Sequence, residues 1–258
     1  ILTRDYIEES VERVRTAFGP RGSALRRTGP TPDVIQWALD TGPQLARRVE
    51  KAKSVIRSEA FFDGPIGLRN FETIAQALEI ASLPFFPANL HLQSYEAAGP
   101  VDSSRFLLDG VKDAHHNIFL DIYRRILLPD ILAEKPYVIG ISIPSMAQML
   151  PGLTAAWLVR EAGLDCHITV GGPHISMLRE ELPKAPAIFQ LIDSAVIFDG
   201  ERSLAQLAQA LVDGGDLSQI PNFVYRGDAG IHTTSRKEPE KIVNLPMPDF
   251  SDLVLDSY

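Results

Sequence analysis

The amino-acid sequence predicts an α/β fold: a Rossmann-like (flavodoxin-like) parallel sheet flanked by helices and preceded by a mainly helical region. Three observations predict it. Apolar residues recur at helical spacing over residues 1–134. Beyond Pro136 the pattern changes to short, continuously apolar runs that alternate with amphipathic stretches, and each run stops at small, turn-forming residues. A strand that is apolar at consecutive positions is buried on both faces, which marks a parallel sheet covered by helices. The expected divisions are 1–134 for the helical region, 135–235 for the Rossmann-like domain and 236–258 for a linker.

In the helical region Ile7, Val11, Val14 and Phe18 form one stripe that stops at Gly19-Pro20. Thr31-Pro32-Asp33 reads as a cap followed by proline at the first helical position, opening a helix through Trp37 that Gly42-Pro43 is expected to interrupt. Leu45, Val49 and Ile56 then continue an apolar stripe. Asn70 is expected to cap a helix carrying Phe71, Ile74, Leu78 and Ala81, closed by Pro84. The residues ANLHL (88–92) alternate like a short strand, and Asn117 is expected to cap a last helix with Phe119, Ile122, Ile126 and Leu127. In the second region strands are expected at 137–143, 168–170 and 195–198. Helices are expected at 153–162, closed by Gly163, from 176 to 182, and at 203–212, closed by Gly214-Gly215.

The bulk numbers exclude several functions. With 258 residues, 45% hydrophobic and 22% charged, the chain has ordinary globular composition. A net charge of −8 without any Lys/Arg cluster argues against nucleic acid as a partner, because phosphate binding draws on clustered cations. Cys166 is the single cysteine, so the chain alone builds no disulfide, CxxC pair or cysteine-held metal or iron–sulfur site. No apolar run is long enough to span a bilayer and no secretory signal pattern opens the chain, so no membrane is expected as a partner and the expected location is cytoplasmic. The first residue is Ile1, and the simplest expectation is a piece cut from a longer protein.

Ligands of open parallel sheets bind at the carboxyl ends of the strands, which right-handed crossovers place on one edge. Three such ends are expected here: Ser142-Ile143-Pro144-Ser145, Gly171-Gly172-Pro173-His174 and Asp199-Gly200-Glu201. Glycine lets a ligand approach the backbone, and serine and free amides offer donors. The same residues also serve ordinary strand-to-helix turns. There is no GxGxxG after a strand, no GxxxxGK[ST] and no GxSxG, so dinucleotide, triphosphate and α/β-hydrolase sites lack support. His115 and His116 are adjacent and would point apart on a helix, and His91 and His232 read as surface or hairpin residues; His174, at a strand end, is the histidine placed for function, with a solvent-facing turn histidine as the alternative reading. Cys166 is expected to be a packing residue, and Glu8-Glu9 and Glu180-Glu181 are solvated faces.

The blocks GISIPSMAQMLPGLTAAWLVREAG, HITVGGPHISMLREEL, SAVIFDGERSLAQLAQAL, DLSQIPNFVYRGDAGI and LPMPDFSDL, in that order, resemble the cobalamin-binding (B12-binding) domain of cobalamin-dependent radical SAM proteins. The helical region with SLPFFPANLHL resembles the segment that precedes this domain in members tied to maturation of natural-product peptides. The resemblance implies a cobalamin-binding module for methyl transfer or related radical chemistry. It implies cofactor contacts at Ser142, Ile143, Pro144, Ser145, Gly171, Gly172, Pro173, His174, Gly200 and Glu201, with no catalytic residue and no protein metal ligand. The implied partners are a radical SAM catalytic domain of the same polypeptide and a peptide or small-molecule substrate. S-adenosylmethionine and a 4Fe-4S cluster would be expected only in the full-length protein, because the CxxxCxxC motif is absent here and the chain is not catalytic alone.

Three departures accompany the resemblance. The cobalt-ligating DxHxxG motif is missing, since Asp165-Cys166-His167 through Gly171 is one residue too long and lies on the wrong strand; His167 is read as a strand residue. Two early strands of the family's fold are not evident before Tyr137, and Arg202 brings a cation to the third strand end. A second reading therefore stands beside the first: a degenerate scaffold that binds no cobalamin and serves docking or substrate presentation.

Overall fold

A computed structural model of the chain describes residues 1–19, 29–238, 241, 243, 245, 247, 250 and 251, so most of the expected linker at 236–258 lies outside the described residues. The described residues form two compact units, 1–99 with 113–118, and those of 100–112 and 119–254.

The first unit is built on α1 (Arg4–Phe18), α2 (Pro32–Ile56) and α3 (Gly64–Ser82). Their apolar stripes meet in one core that includes Ile7, Val11, Val14, Leu45, Val49, Ile74 and Ile80. Thr3 caps α1, its hydroxyl accepting from the Tyr6 N–H. The expected break at Gly42-Pro43 does not occur, and α2 continues through both residues. Gly42 is buried against the Val11 side chain, where any Cβ would collide, so tight packing on α1 holds the helix together across the hydrogen bond that Pro43 removes. The α3 helix starts six residues ahead of Asn70 and is capped by Asp63, whose carboxylate accepts from the Ile66 N–H. Asn70 instead lies inside the helix and donates to the Ile66 carbonyl at 2.8 Å. The ANLHL alternation survives only as β1 (Asn89–Leu90), paired antiparallel with β2 (Tyr95–Glu96).

The second unit holds α4 (Ser104–Gly110), most of α5 (Ile118–Arg125), α6 (Leu127–Glu134) and a five-stranded sheet. The helix read as one after Asn117 is thus two, α5 and α6, parted at Ile126. The strands are β3 (Val138–Ser142), β4 (His167–Gly171), β5 (Ser194–Val196), β6 (Phe223–Gly227) and β7 (Gly230–Thr233), and they lie side by side in chain order. β3, β4 and β5 are parallel, while β6 and β7 add an antiparallel hairpin. The α/β, Rossmann-like expectation therefore holds, with helices α7 (Met149–Glu161), α8 (Pro173–Met177) and α9 (Glu201–Asp213) flanking the sheet.

Because side chains alternate across a strand, the register sorts every residue onto one of two faces. Ile139, Ile141, Ile168, Val170 and Ala195 share one face. α7 packs there, and Gly152 lets it approach the side chains of Ile141 and Ile143. The right-handed rule puts both crossovers of a sheet wound in one direction on the same side, and on this face Ile168, Val170 and Ala195 are buried while Ile139 and Ile141 at the edge strand are partly buried. The opposite face carries Val138, Gly140, Ser142, Thr169, Gly171, Ser194, Val196, Phe223 and Tyr225. α9 covers part of it, with Leu207 packed on Val196, Phe223 and Ile220, and with Val138, Ala210 and Leu211 at the margin. Over the carboxyl halves of β3 and β4 that face is left open: Gly140 and Ser142 are both exposed.

Candidate functional site

The open face forms a groove of about 360 Å³, lined by Gly140, Ser142, Thr169, Gly171, Gly172, Val196, Phe198, Gly200 and Leu204, with the backbone of Ile141 and Val170 between them. Two rungs of the sheet make its floor. Gly140 pairs with Thr169, which pairs with Ser194; Ser142 pairs with Gly171 on the next rung. Small residues at Gly140, Ser142 and Gly171 keep the floor low, and a Cβ built at Gly140 would meet nothing within 4 Å. Leu204 of α9 and the Phe198 ring supply the walls. Such a volume lies at the lower end of ordinary small-molecule pockets.

The walls are tied to the floor by Ser176. Its hydroxyl donates to the Gly172 carbonyl at 3.1 Å and accepts from the Phe198 N–H at 2.8 Å, joining the turn after β4 to the turn after β5. Phe198 adopts φ +65°, an uncommon conformation for a non-glycine residue, and the Arg179 and Arg236 guanidiniums lie 5.9 and 4.9 Å from its ring centroid. These guanidiniums place positive charge beside the groove, and Arg179 also pairs with Glu180 at 3.2 Å. The α9 helix begins at Gly200 with no side-chain cap.

Beside the groove, on the same face of the sheet, runs a polar chain that ends at Thr169. His167 Nε2 lies 2.8 Å from the Ser194 hydroxyl, which in turn lies 2.9 Å from Thr169 Oγ1. Burial holds the His167 imidazole below its ordinary pKa; Asp193 pulls it up and Arg160 pushes it further down. His167 is the first residue of β4, as read from the sequence.

The structure separates the ten residues expected at the site. Ser142, Gly171, Gly172 and Gly200 come together in the groove. Ile143 is fully buried, its N–H continuing the ladder to the Gly171 carbonyl at 2.8 Å. Pro144 and Ser145 are exposed on the following turn, and Ser145 donates to the Gln148 side chain at 3.3 Å. Pro173 opens α8. His174 faces a separate apolar chamber of about 140 Å³ with Leu107, Met149, Leu178, Leu182 and Ile188, where burial lowers its pKa. Glu201 lies in another notch with Asp199, Arg202, Asn222 and Lys237. The groove residues that the sequence reading missed are Gly140, Thr169, Val196, Phe198 and Leu204. A signal existed for two of them: stepping back two residues from Ser142 and from Gly171, along one face, lands on Gly140 and Thr169.

Cys166 is buried, and burial raises its pKa, in keeping with a packing role. Among the described residues no cluster of His, Cys, Asp and Glu could hold a metal ion, and no helix is long and apolar enough to cross a membrane.

Gly172 serves the fold first. It has φ +102°, and a Cβ there would lie 3.0 to 3.1 Å from the Ile143 backbone. Gly172→Ala should therefore lower stability by about 1–3 kcal/mol, measured by urea unfolding, before any ligand is considered. A loss under about 0.5 kcal/mol would show that the turn relaxes.

No family model and no curated protein matches this chain. Among solved structures it is similar to a radical S-adenosylmethionine methyltransferase, TsrM, from Kitasatospora setae, whose structure holds tryptophan substrate and the SAM analogue aza-SAM. The likeness has 20% identity and a TM-score of 0.36, and it covers 45% of this chain and 23% of that one. At that score it is too slight to support a fold or a function; the fold and the groove rest on this chain's own geometry.

Proposed function

We propose that the chain is a cobalamin-binding module of a radical SAM enzyme, used for methyl transfer or related radical chemistry, and that its groove receives the nucleotide tail of the corrinoid. The observation that carries this reading is the bare sheet floor at Gly140, Ser142, Thr169 and Gly171, a cradle that any larger side chains would fill. Its flat, mostly apolar shape suits an aromatic base lying against a sheet. Arg179 and Arg236, stacked on the groove's Phe198 wall, suit the tail's phosphodiester. Among the described residues no histidine lines the groove, so the groove itself would offer a corrinoid no imidazole. The S-adenosylmethionine and the 4Fe-4S cluster would be held by the catalytic domain of the same polypeptide, since Cys166 is this chain's single cysteine.

The scaffold reading, in which no cobalamin binds, draws on β3 standing at the edge of the sheet with one face partly bare. Equilibrium dialysis of the chain against hydroxocobalamin, followed by an absorbance scan, separates the two. The expected result is retained corrinoid whose spectrum lacks histidine ligation to cobalt. No retention at high micromolar concentration would overturn the cobalamin reading and leave the scaffold.

A further inference from the structure

One side of the sheet ends in a strand without an outer neighbour. β3 stands first in the strand order, and its one partner is β4. The Tyr137 carbonyl accepts from the His167 N–H at 2.9 Å and the Ile143 N–H donates to the Gly171 carbonyl at 2.8 Å, so residues 137, 139, 141 and 143 turn their backbone groups toward β4. Val138, Gly140 and Ser142 therefore turn theirs outward. Among the described residues no main-chain partner meets those N–H and carbonyl groups. Such an edge is normally guarded by a lysine, a bulge or a covering segment. Here no charged residue occurs from Pro136 to Pro144, and Gly140 and Ser142 are exposed. Tyr137 is 84% exposed, and α6, the helix that leads into β3, buries none of its residues.

The edge is also symmetric. Its outward positions read Pro136, Val138, Gly140, Ser142 and Pro144, with a proline, which has no N–H to give, equally far from Gly140 at either end. An antiparallel strand of the same sequence, centred on Gly140, sets Val138 opposite Ser142, Gly140 opposite its own copy and Pro136 opposite Pro144. The outward donors and acceptors of all three central residues are then paired, and the ladder stops at proline on both sides. On the other face of the strand Ile139 comes opposite Ile141; both are partly buried, and neither brings a like charge against the other.

We propose that the β3 edge is an interface for a second copy of this chain, in which the two β3 strands pair antiparallel about a two-fold axis at Gly140 and two five-stranded sheets become one. A two-fold interface needs a patch complementary to itself, and an uncharged strand bounded by symmetric prolines is one. An unrelated peptide would be indifferent to that spacing. The inference does not depend on what the groove holds.

Sedimentation velocity of the 258-residue chain tests it, over about 1 to 200 µM, since a strand pair with an apolar fringe is a small interface with a dissociation constant on the order of 10 µM. The mass should rise with concentration from 28.4 kDa to twice that value. Gly140→Pro removes the central outward donor but no bond to β4, and should weaken dimerisation about tenfold or more. The register is read by cross-linking. Opposed residues of a hydrogen-bonded antiparallel pair have Cα atoms about 5.5 Å apart, within reach of a disulfide, so Gly140→Cys should give a covalent dimer on mild oxidation. Ser142→Cys should not, because its copy lies about 13 Å away along the strands. Cys166 is buried and does not compete.

A chain that stays at 28.4 kDa at the highest concentration overturns the proposal. A dimer that folded Gly140→Pro leaves intact, or one that Gly140→Cys fails to cross-link, or that Ser142→Cys cross-links equally well, places the interface elsewhere and overturns it too. Should Gly140→Pro not fold, the cysteine variants decide, since both positions are exposed and a Cβ at Gly140 meets nothing within 4 Å.

Discussion

Gly140→Leu should abolish cobalamin retention, with affinity falling about 100-fold or more, while the protein melts no lower than wild type. Two physical facts separate binding from folding at this position. Gly140 is an exposed residue of β3, in ordinary extended backbone, and an added Cβ would touch nothing within 4 Å. Glycine in a strand is unfavourable by roughly 0.5–1 kcal/mol relative to alanine, so a larger side chain removes that penalty. The new leucine would stand on the groove floor beside Thr169, in the space assigned to the ligand's base. Gly140→Ala should give an intermediate loss. Dialysis and melting on the same samples provide the measurement, and full retention by well-folded Gly140→Leu would remove the groove from the binding site. Gly172 cannot serve this purpose, because its positive φ and the adjacent Ile143 backbone make any substitution a test of the turn.

The largest loss of stability is expected at Asp193, away from the groove. Its carboxylate accepts from the Ile168 N–H at 2.7 Å, from Arg160 in an ion pair, and from the Arg226 guanidinium at 3.4 Å. Arg160 also donates to the Cys166 carbonyl and Arg226 to the Phe189 carbonyl, so one acid ties α7, the entry to β4, the segment before β5 and β6. Asp193→Ala leaves a half-buried arginine and a buried N–H without their acceptor. Breaking a fully buried pair costs about 3–5 kcal/mol, and the 21% exposure of the Asp193 side chain reduces this to about 2–3 kcal/mol. Asp193→Asn, which keeps an acceptor but no charge, should lose about half as much. Hydrogen exchange of the β3 to β5 amides reads the effect directly: protection should fall roughly 30- to 150-fold in Asp193→Ala. A fall of less than fivefold would mean that the arginines find water or other acceptors readily.

The strand ends at 142 and 171 were legible because their signals are local. A continuous apolar run stopped by Ser, Gly or Pro reports where a buried strand leaves the sheet, whatever it packs against. The third strand was placed at 195–198 where β5 is Ser194–Val196, because Ile197 and Phe198 continue the apolar run after the ladder has ended. Treating each strand end as a block of contacts failed for a different reason. Successive residues face opposite sides, so Ser142 joins the groove while Ile143 enters the core, and Gly171 and His174 open onto different cavities. Pro43 and Asn70 misled in the helical region because proline and asparagine signals describe the isolated chain. Packing of α2 on α1 overrode the first, and Asp63 with Pro65 behind it made a better helix start than the second.

By itself the sequence determined the class of the fold, the alternation of β3, β4 and β5 with helices, and the absence of any cysteine pair for a cluster, all of which follow from periodicity and composition along consecutive residues; α4 and the hairpin of β6 and β7 were not read from it. Only the tertiary structure decided which face of the sheet is bare, that Gly140 and Thr169 share its floor, and that His167 and Ser194 join Thr169 in one polar chain on that face. Those features depend on the register between β3, β4 and β5 and on where α9 lands. Both are set by pairing residues tens of positions apart, and no single stretch of chain carries that information.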